Sequence, residues 1–203
     1  VRARAVVPAR VRQRRRMAVP VRGQPADVPV GPASDPRRDM SRRTVRFPLT
    51  APEPECELGA AGVPVFLVDR DVDHNVAKPG QDFVSVMTSD FVQEGKRAAW
   101  AMANATGGNA KIIELEGTTG ASPAIDRKKG FDEAIKACPG MQVIVSQDGD
   151  FTRVKGRQVA QTLLQSHPDA TAIYAHNDEM AIGAIAAINA MGKVPGKDIK
   201  VVS

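Results

Sequence analysis

Residues 60–203 predict an α/β fold in which a parallel sheet is flanked by helices. Short runs of β-branched and apolar residues alternate with longer helical patterns, and Gly, Asp or Asn residues stand between them. Strands that alternate with helices form right-handed βαβ units, and these units build a parallel sheet covered on both faces. Ligands bind such sheets beyond the carboxyl ends of the strands.

The strands are predicted where short apolar runs lie between turn residues. The run GVPVFLVD is an example, since it is apolar, β-branched and too short for a buried helix. By the same criterion the predicted strands, in chain order, are 62–69, 83–90, 110–117, 141–150, 170–178 and 198–203.

Four helices are predicted between these strands from their start and stop signals. Asp90 is expected to cap the first helix, which ends at Gly107-Gly108, and Gly192 ends the last. The second, third and fourth helices are predicted at 122–137, 152–166 and 179–191. The third helix is expected to turn Val154, Val159, Leu163 and Leu164 to the core. The wider core is expected to contain Ile112, Leu115, Ile135, Val143, Val145, Leu163, Ile173, Ala184 and Ile188.

Residues 1–57 differ in composition from the rest of the chain. They hold 13 Arg, no Lys and 6 acidic residues, a net charge of +7, whereas residues 58–203 carry 15 basic and 17 acidic residues. Nine of the 15 prolines also lie in this stretch. Proline blocks helices and ladders, so no regular structure is predicted. We favour GC-rich DNA read in the wrong frame or from too early a start over a disordered leader or a basic arm for nucleic acid or membranes.

Several function classes lack their sequence signals. No run reaches the roughly 18 apolar residues of a membrane span, and the Arg-rich start has no apolar signal-peptide core. Cys56 and Cys138 have no CxxC partner, which excludes the common metal and redox motifs and leaves open whether they pair. The turn at 117–120 is not followed by Gly-Lys-Ser/Thr, so it is not a phosphate loop.

Polar and aromatic side chains follow the predicted strands, where a ligand would bind. They are Asp69, Arg70, Arg127, Phe151 and Asn177. Arginine donates, aspartate accepts and asparagine does both, while an aromatic face suits the C–H face of a sugar. The set therefore predicts a neutral polyhydroxylated ligand. It fits hydrolysis poorly, because carboxylates beside arginines have a lowered pKa and cannot act as general acids.

Each of these candidates also has a structural interpretation. Asp69 and Arg70 could form a surface ion pair, and Arg127 could be a solvated helix residue. Phe151 could belong to the core, and Asn177 could cap the helix that follows it. His176 is expected to be structural, since no nucleophile motif accompanies it.

Four motifs resemble the periplasmic sugar-binding proteins of bacterial ABC transporters, the ribose- and galactose-binding class. They are PVFLVDR (64–70), EGTTGASPAIDRKKGF (116–131), QDGDFTRVKG (147–156) and YAHNDEMAIGAIAAI (174–188). The residues of these motifs are most similar to those of the galactofuranose-binding branch. The resemblance implies a periplasmic binding protein type I-like fold, in which two α/β lobes close on one monosaccharide.

The resemblance also implies roles for the five candidates. Asp69 and Arg70 would contact the sugar from the first lobe, and Arg127 and Asn177 from the second, with Phe151 as the stacking ring. It implies a monosaccharide ligand, a membrane permease of the transporter as partner, a monomer, and a periplasmic or cell-envelope location. No enzyme activity, cofactor, metal or nucleic acid is implied.

The resemblance divides the chain into three parts. Residues 1–57 have no counterpart in the family, 58–90 correspond to a remnant of the first lobe, and 91–203 to a second lobe incomplete at its C-terminus. We expect half of a sugar site and weak binding. The alternative is the ligand-binding domain of a lactose-repressor-like regulator. That class carries an N-terminal helix-turn-helix, a pattern that residues 1–57 do not show.

Overall fold

The computed structural model describes residues 2–6, 44–48 and 62–203, and in these ranges it contains two four-stranded sheets. The strands are β1 Arg2–Val6, β2 Thr44–Pro48, β3 Phe66–Val68, β4 Ser85–Met87, β5 Asn109–Glu116, β6 Gly140–Asp148, β7 Ala172–Ala175 and β8 Lys200–Val202. The helices are α1 Phe91–Thr106, α2 Ser122–Ile135, α3 Arg153–Ser166 and α4 Asp178–Ala190. All six predicted strands and all four predicted helices are present, with most strands shorter than predicted.

The second sheet is parallel throughout, in the order β6-β5-β7-β8, and confirms the predicted fold class. Its central strand β5 is buried on both faces, which explains its apolar run. On one face Ile113 and Leu115 pack against α3 and α4. On the other face Ile112 packs with Phe131 of α2 and Tyr174 of β7. The carboxyl ends of β5, β6 and β7 therefore meet at one edge, where the candidate residues lie.

The predicted core is largely confirmed. Ile112, Leu115, Leu163, Ile173, Ala184 and Ile188 are buried. Ile135, Val143 and Val145 are half-buried against the core, and both valines lie on the edge strand β6. Val154 was expected in the core and is instead 70% exposed. The buried stripe of α3 runs through Gly156 and Val159. Val154 lies two residues before Gly156, and at 100° per residue its side chain is about 200° from the buried stripe, on the solvent side of the helix.

Two strands occur in the stretch where no regular structure was predicted. β1 pairs antiparallel with β2 and with β3, so Arg4 lies opposite Val68 and Ala5 opposite Leu67. The expectation is therefore wrong for the ten residues of β1 and β2. Their partner is a free edge of β3, which a local sequence pattern does not reveal. The other residues of 1–57 lie outside the described part, and the proposed domain boundaries stay a prediction.

Helices α1 and α2 approach each other at two glycines. A Cβ atom on Gly95 would lie 2.1 Å from the carbonyl oxygen of Arg127, and one on Gly130 would lie 1.9 Å from that of Val92. No side chain fits at either crossing point, so the two backbones touch. This close packing brings Glu94 of α1 within reach of the Arg127 side chain of α2.

Of the two cysteines, the structure describes Cys138. Cys138 is a free, half-buried thiol packed against the core, and Cys56 lies outside the described residues. Within residues 62–203, none of the helices is both long and apolar enough to cross a membrane.

Replacing Leu163 with Asp should unfold residues 62–203 or nearly so. Leu163 is 6% exposed in the α3–α4 core. Its burial stabilises by roughly 1.5–3 kcal/mol, and a buried unpaired carboxylate adds a larger cost. Circular dichroism melting measures the effect. The matched control is Val154→Asp, which places the same charge on the exposed side of the same helix and should melt near the wild type. A Leu163→Asp variant with an unchanged melting temperature would contradict the assigned core.

Candidate functional site

A cleft of about 470 Å³ lies at the carboxyl ends of β7 and β8, beside α1. Arg97 and Glu94 line it from α1, Arg127 from α2, and Asn177 and Asp178 from the start of α4. Two arginines and two carboxylates balance in formal charge, and an amide adds a donor and an acceptor. The cleft is therefore suited to a neutral polar ligand.

Arg127 is held in the cleft by an acidic and an aromatic side chain of α1. Its Nε and Nη2 atoms lie 2.9 and 2.7 Å from Oε2 of Glu94, and its guanidinium lies 4.6 Å from the centre of the Phe91 ring. The side chain is only 20% exposed. It is thus an ordered ion-pair partner rather than a solvated helix residue. Among residues 62–203, Glu94 is its only ion-pair partner, which leaves its other N–H groups for a ligand.

Asn177 caps α4 and also lines the cleft. Its Oδ1 accepts a hydrogen bond of 3.1 Å from the backbone N–H of Met180, as the capping interpretation predicted. Its Nδ2 donates a 3.0 Å hydrogen bond to the carbonyl oxygen of Phe151. The amide therefore joins α4 to the loop after β6. One N–H of Nδ2 and a lone pair of Oδ1 remain for a ligand.

Phe151 and the preceding Asp150 both adopt left-handed backbone conformations, with φ of 54° and 55°. Such a conformation costs a non-glycine residue about 1–2 kcal/mol. Side chains around the loop hold it. Asp148 Oδ1 accepts from the Asp150 N–H at 2.7 Å, and Thr118 Oγ1 donates to Asp150 Oδ1 at 2.7 Å. The carbonyl of Phe151 is held by Asn177. The loop is thus fixed by contacts from three elements.

The segment after β3 contacts this loop. The guanidinium of Arg70 lies 5.4 Å from the centre of the Phe151 ring, within the range of a cation–π contact. Asp69, with φ of 76°, lies 3.5 Å from Nε of Arg70 and is 66% exposed, so the surface ion pair is also present. The N–H of Asp71 donates to Ser122 Oγ at the start of α2. The first sheet is thereby tied to the second.

The structure joins four of the five candidates in one chain of contacts. Asp69 pairs with Arg70, Arg70 covers Phe151, and Phe151 accepts from Asn177. Arg127 shares the cleft with Asn177 but forms no hydrogen bond with the other four. Asp69, Arg70 and Phe151 do not line the 470 Å³ cleft. The ligand contacts assigned to all five stay predictions.

A buried carboxylate lies behind the cleft. Glu114 is fully buried and accepts hydrogen bonds from Lys128 Nζ, Ser146 Oγ and His176 Nε2, the last at 3.1 Å. Burial alone would raise the pKa of Glu114, but the hydrogen bonds from His176, Lys128 and Ser146 outweigh it and lower the pKa to about 2. For the Lys128 ammonium, burial alone would lower the pKa. Its hydrogen bonds and ion pairs with Glu114 and Glu116 outweigh burial, so the pKa of Lys128 is raised overall.

Both ring nitrogens of His176 are occupied. Nε2 faces Glu114, and Nδ1 accepts a 3.2 Å hydrogen bond from the backbone N–H of Gly117. The residue is 2% exposed. This geometry supports the structural interpretation of His176 over a catalytic one, because no lone pair is left to take a substrate proton.

Sequence reasoning missed several residues around the cleft. Glu114 had a signal, since a charge inside the apolar run IIELE requires a buried partner. Glu94 and Arg97 had no such signal, because their place at the cleft depends on the packing of α1 against the rest of the lobe. Asp178 had a signal in its position, since it directly follows Asn177 after the strand β7.

A parallel α/β lobe with a polar, charge-balanced cleft at its strand ends has the architecture in which open α/β sheets bind small molecules. Residues 57–203 match the family described as periplasmic binding protein domain, and the chain belongs to this family.

Named relatives bind or import sugars. The chain is 46% identical over 143 residues to the galactofuranose-binding protein YtfQ of Escherichia coli K12, covering 68% of this chain and 44% of that protein. It is 43% identical to the ribose import binding protein RbsB of Bacillus subtilis 168, covering 66% and 41%.

A solved structure also matches. It is the periplasmic binding protein component of the arabinose ABC transporter from Shewanella sp. ANA-3, bound to α- and β-L-arabinofuranose. The TM-score is 0.68 at 39% identity, covering 72% of this chain and 48% of that chain. The chain spans less than half the length of these relatives.

Replacing Glu114 with Gln should remove part of the acid sensitivity of folding. The folded-state pKa of about 2 lies below the ordinary value of 4.5. The carboxylate therefore stabilises the fold above pH 4.5 and loses this contribution as the pH falls toward 2. The shift corresponds to about 3 kcal/mol. Urea unfolding between about pH 6 and about pH 3 should show a smaller acid-induced loss for Glu114→Gln than for the wild type.

The control for this experiment is Glu133→Gln. The pKa of Glu133 is lowered chiefly by its hydrogen bond from Lys96, but the group is solvent-exposed and the contribution is screened. Its acid-induced loss should match the wild type closely. Equal losses for Glu114→Gln and the wild type would contradict a charged, stabilising Glu114.

Proposed function

We propose that the chain is part of a solute-binding protein of a sugar ABC importer and that its cleft contributes to binding a monosaccharide. The observation that carries the proposal is the balanced set of hydrogen-bonding side chains at the cleft. Arg127 and Asn177 present unused donors and acceptors there, and Asp178 adds a carboxylate. Vicinal sugar hydroxyls donate and accept at once, so they need this mixture.

The size and charge of the cleft favour a small neutral ligand. Its volume of about 470 Å³ lies in the usual range of about 300–1,000 Å³ for small-molecule sites. A phosphate or carboxylate ligand would leave Glu94 and Asp178 facing an anion, whereas a neutral sugar does not. The relatives named for galactofuranose and arabinofuranose make furanose sugars the first ligands to test.

Binding without chemistry is the expected activity. Oε2 of Glu94 is taken by Arg127, and Oδ1 of Asp178 accepts a 2.6 Å hydrogen bond from Ser203 Oγ. Carboxylates held in this way can still accept hydrogen bonds from sugar hydroxyls with their remaining lone pairs. The relatives are solute-binding proteins, which also favours transport over transcriptional regulation.

The other candidates extend the site toward the first sheet. Phe151 would stack against the C–H face of the sugar, with Arg70 and Asp69 contacting its hydroxyls from across the loop. Arg70 lies over the Phe151 ring, so a sugar would have to displace it or bind at its side. A membrane permease would receive the sugar, and the protein would work in the periplasm or cell envelope.

Replacing Arg127 with Ala should weaken sugar binding about 10- to 100-fold. The variant removes charge-assisted hydrogen bonds worth roughly 1.5–3 kcal/mol each in a dry site. Titration of the 203-residue chain with galactofuranose, arabinofuranose and ribose, followed by NMR chemical shifts, detects even weak binding.

The matched control is Arg153→Ala. Arg153 also pairs with a glutamate of a neighbouring helix, Glu179, at 2.9 Å, but it is 56% exposed and does not line the cleft. Its removal should leave sugar affinity unchanged. Absence of shifts with all three sugars in the folded chain would overturn the proposed function, and equal effects of the two variants would overturn the role of Arg127.

A further inference from the structure

We propose that His176 is a positioning residue that holds the Phe151 ring in place through the backbone of Gly117. The inference deepens the proposed function, since it names what sets the orientation of the predicted stacking ring. His176 itself would not touch the sugar through this action. It accepts the N–H of Gly117, and Gly117 in turn contacts the ring.

The contact between Gly117 and Phe151 has no free space. A Cβ atom on Gly117 would lie 1.9 Å from Cζ of Phe151 and 2.3 Å from each Cε. The tip of the ring therefore rests directly on the Gly117 backbone. A displacement of this backbone toward the ring by a few tenths of an ångström would push the ring, which on its other sides packs against the core and Arg70.

The Gly117 backbone is fixed by His176. Its buried N–H donates to Nδ1 of His176 at 3.2 Å. An N–H donor opposite Nδ1 requires a lone pair there, so the ring proton sits on Nε2 and points to Glu114 at 3.1 Å. Glu114 is held in turn by Lys128 and Ser146. Because each ring nitrogen has its own partner, the imidazole cannot flip without losing both bonds.

Consecutive residues after β7 thus hold Phe151 from two directions. His176 acts on the ring tip through Gly117, and Asn177 binds the Phe151 carbonyl at 3.0 Å. Phe151 needs such support, because its left-handed backbone is unfavourable on its own. A ring held in advance loses less conformational entropy when a ligand stacks on it.

The test uses two substitutions of His176, each of which keeps only one of its two hydrogen bonds. In His176→Asn the side-chain oxygen takes the place of Nδ1, so the bond from Gly117 is kept and the one to Glu114 is lost. In His176→Gln the amide reaches Glu114 in place of Nε2 and leaves the Gly117 N–H without an acceptor. Glu114→Gln serves as a further control, since it weakens the buried network and leaves Nδ1 of His176 in place.

The first readout needs no sugar. In the 203-residue chain, the Phe151 ring should shift the NMR resonances of the Gly117 Hα protons. This ring-current shift should persist in His176→Asn and disappear in His176→Gln. Hydrogen exchange of the Gly117 amide should be about tenfold faster in His176→Gln than in His176→Asn. If His176 contributed only to stability, the ring-current shift and the amide exchange rate would instead follow the order of the melting temperatures of the variants.

The second readout is affinity for the sugar that gives the largest shifts with the wild type. His176→Gln should weaken binding about tenfold, while His176→Asn should stay within about twofold. A His176→Gln variant that keeps the Gly117 ring-current shift overturns the inference, as does a His176→Asn variant that folds and loses it. If no sugar binds to the wild type, the proposed function fails, and the ring-current shift still decides the role of His176.

Discussion

The cleft side of the parallel sheet depends on one buried charge, the carboxylate of Glu114 on β5. Lys128 reaches it from α2, Ser146 from β6 and His176 from the end of β7. A carboxylate without these donors would be strongly unfavourable in the interior, and removing one member of such a buried group commonly costs about 3–5 kcal/mol. The network therefore ties a helix and two strands to the centre of the sheet.

The same network places the candidate ligand contacts, because they are its neighbours in sequence. Arg127 precedes Lys128 on α2, and Asn177 follows His176 at the start of α4. Lys128 is anchored on Glu114, which limits the movement of Arg127 relative to the sheet, and Asn177 is held by its own hydrogen bonds to the Phe151 carbonyl and the Met180 N–H. The close crossing of α1 and α2 then adds Glu94, whose carboxylate orients the Arg127 guanidinium. Electrostatics and backbone packing thus act on the same side chains.

Backbone strain is concentrated in the loop that carries Phe151, although Asp69 is also left-handed. Two successive non-glycine residues in left-handed conformations occur among the described residues only at Asp150 and Phe151. Hydrogen bonds from Thr118 and Asn177 and the support of Gly117 hold this loop. A loop stabilised from several elements presents an aromatic ring in one orientation, which is the property a stacking contact requires.

The sequence by itself determined the α/β class, the order of its elements and the helix caps, because periodicity and capping are local. Asp90 and Asn177 cap the helices that their positions predicted. The five candidate residues were found because they follow strands, and a parallel sheet gathers strand ends at one edge. Local patterns also misled, since Val154 faces solvent and two strands formed where prolines and arginines predicted none.

Only the tertiary structure decided how these residues are paired. The bond from Arg127 to Glu94 spans 33 positions, and the one from His176 to Glu114 spans 62. Neither follows from a helical or strand period, because each depends on which faces of distant elements pack together. The same is true of Phe151, whose ring lies half-buried against the α3–α4 core and contacts Gly117, while its contact with a ligand stays a prediction. The physical reason is that the residue type alone fixes how many hydrogen bonds a side chain can donate and accept. Which group it bonds to depends on how distant elements of the lobe pack together.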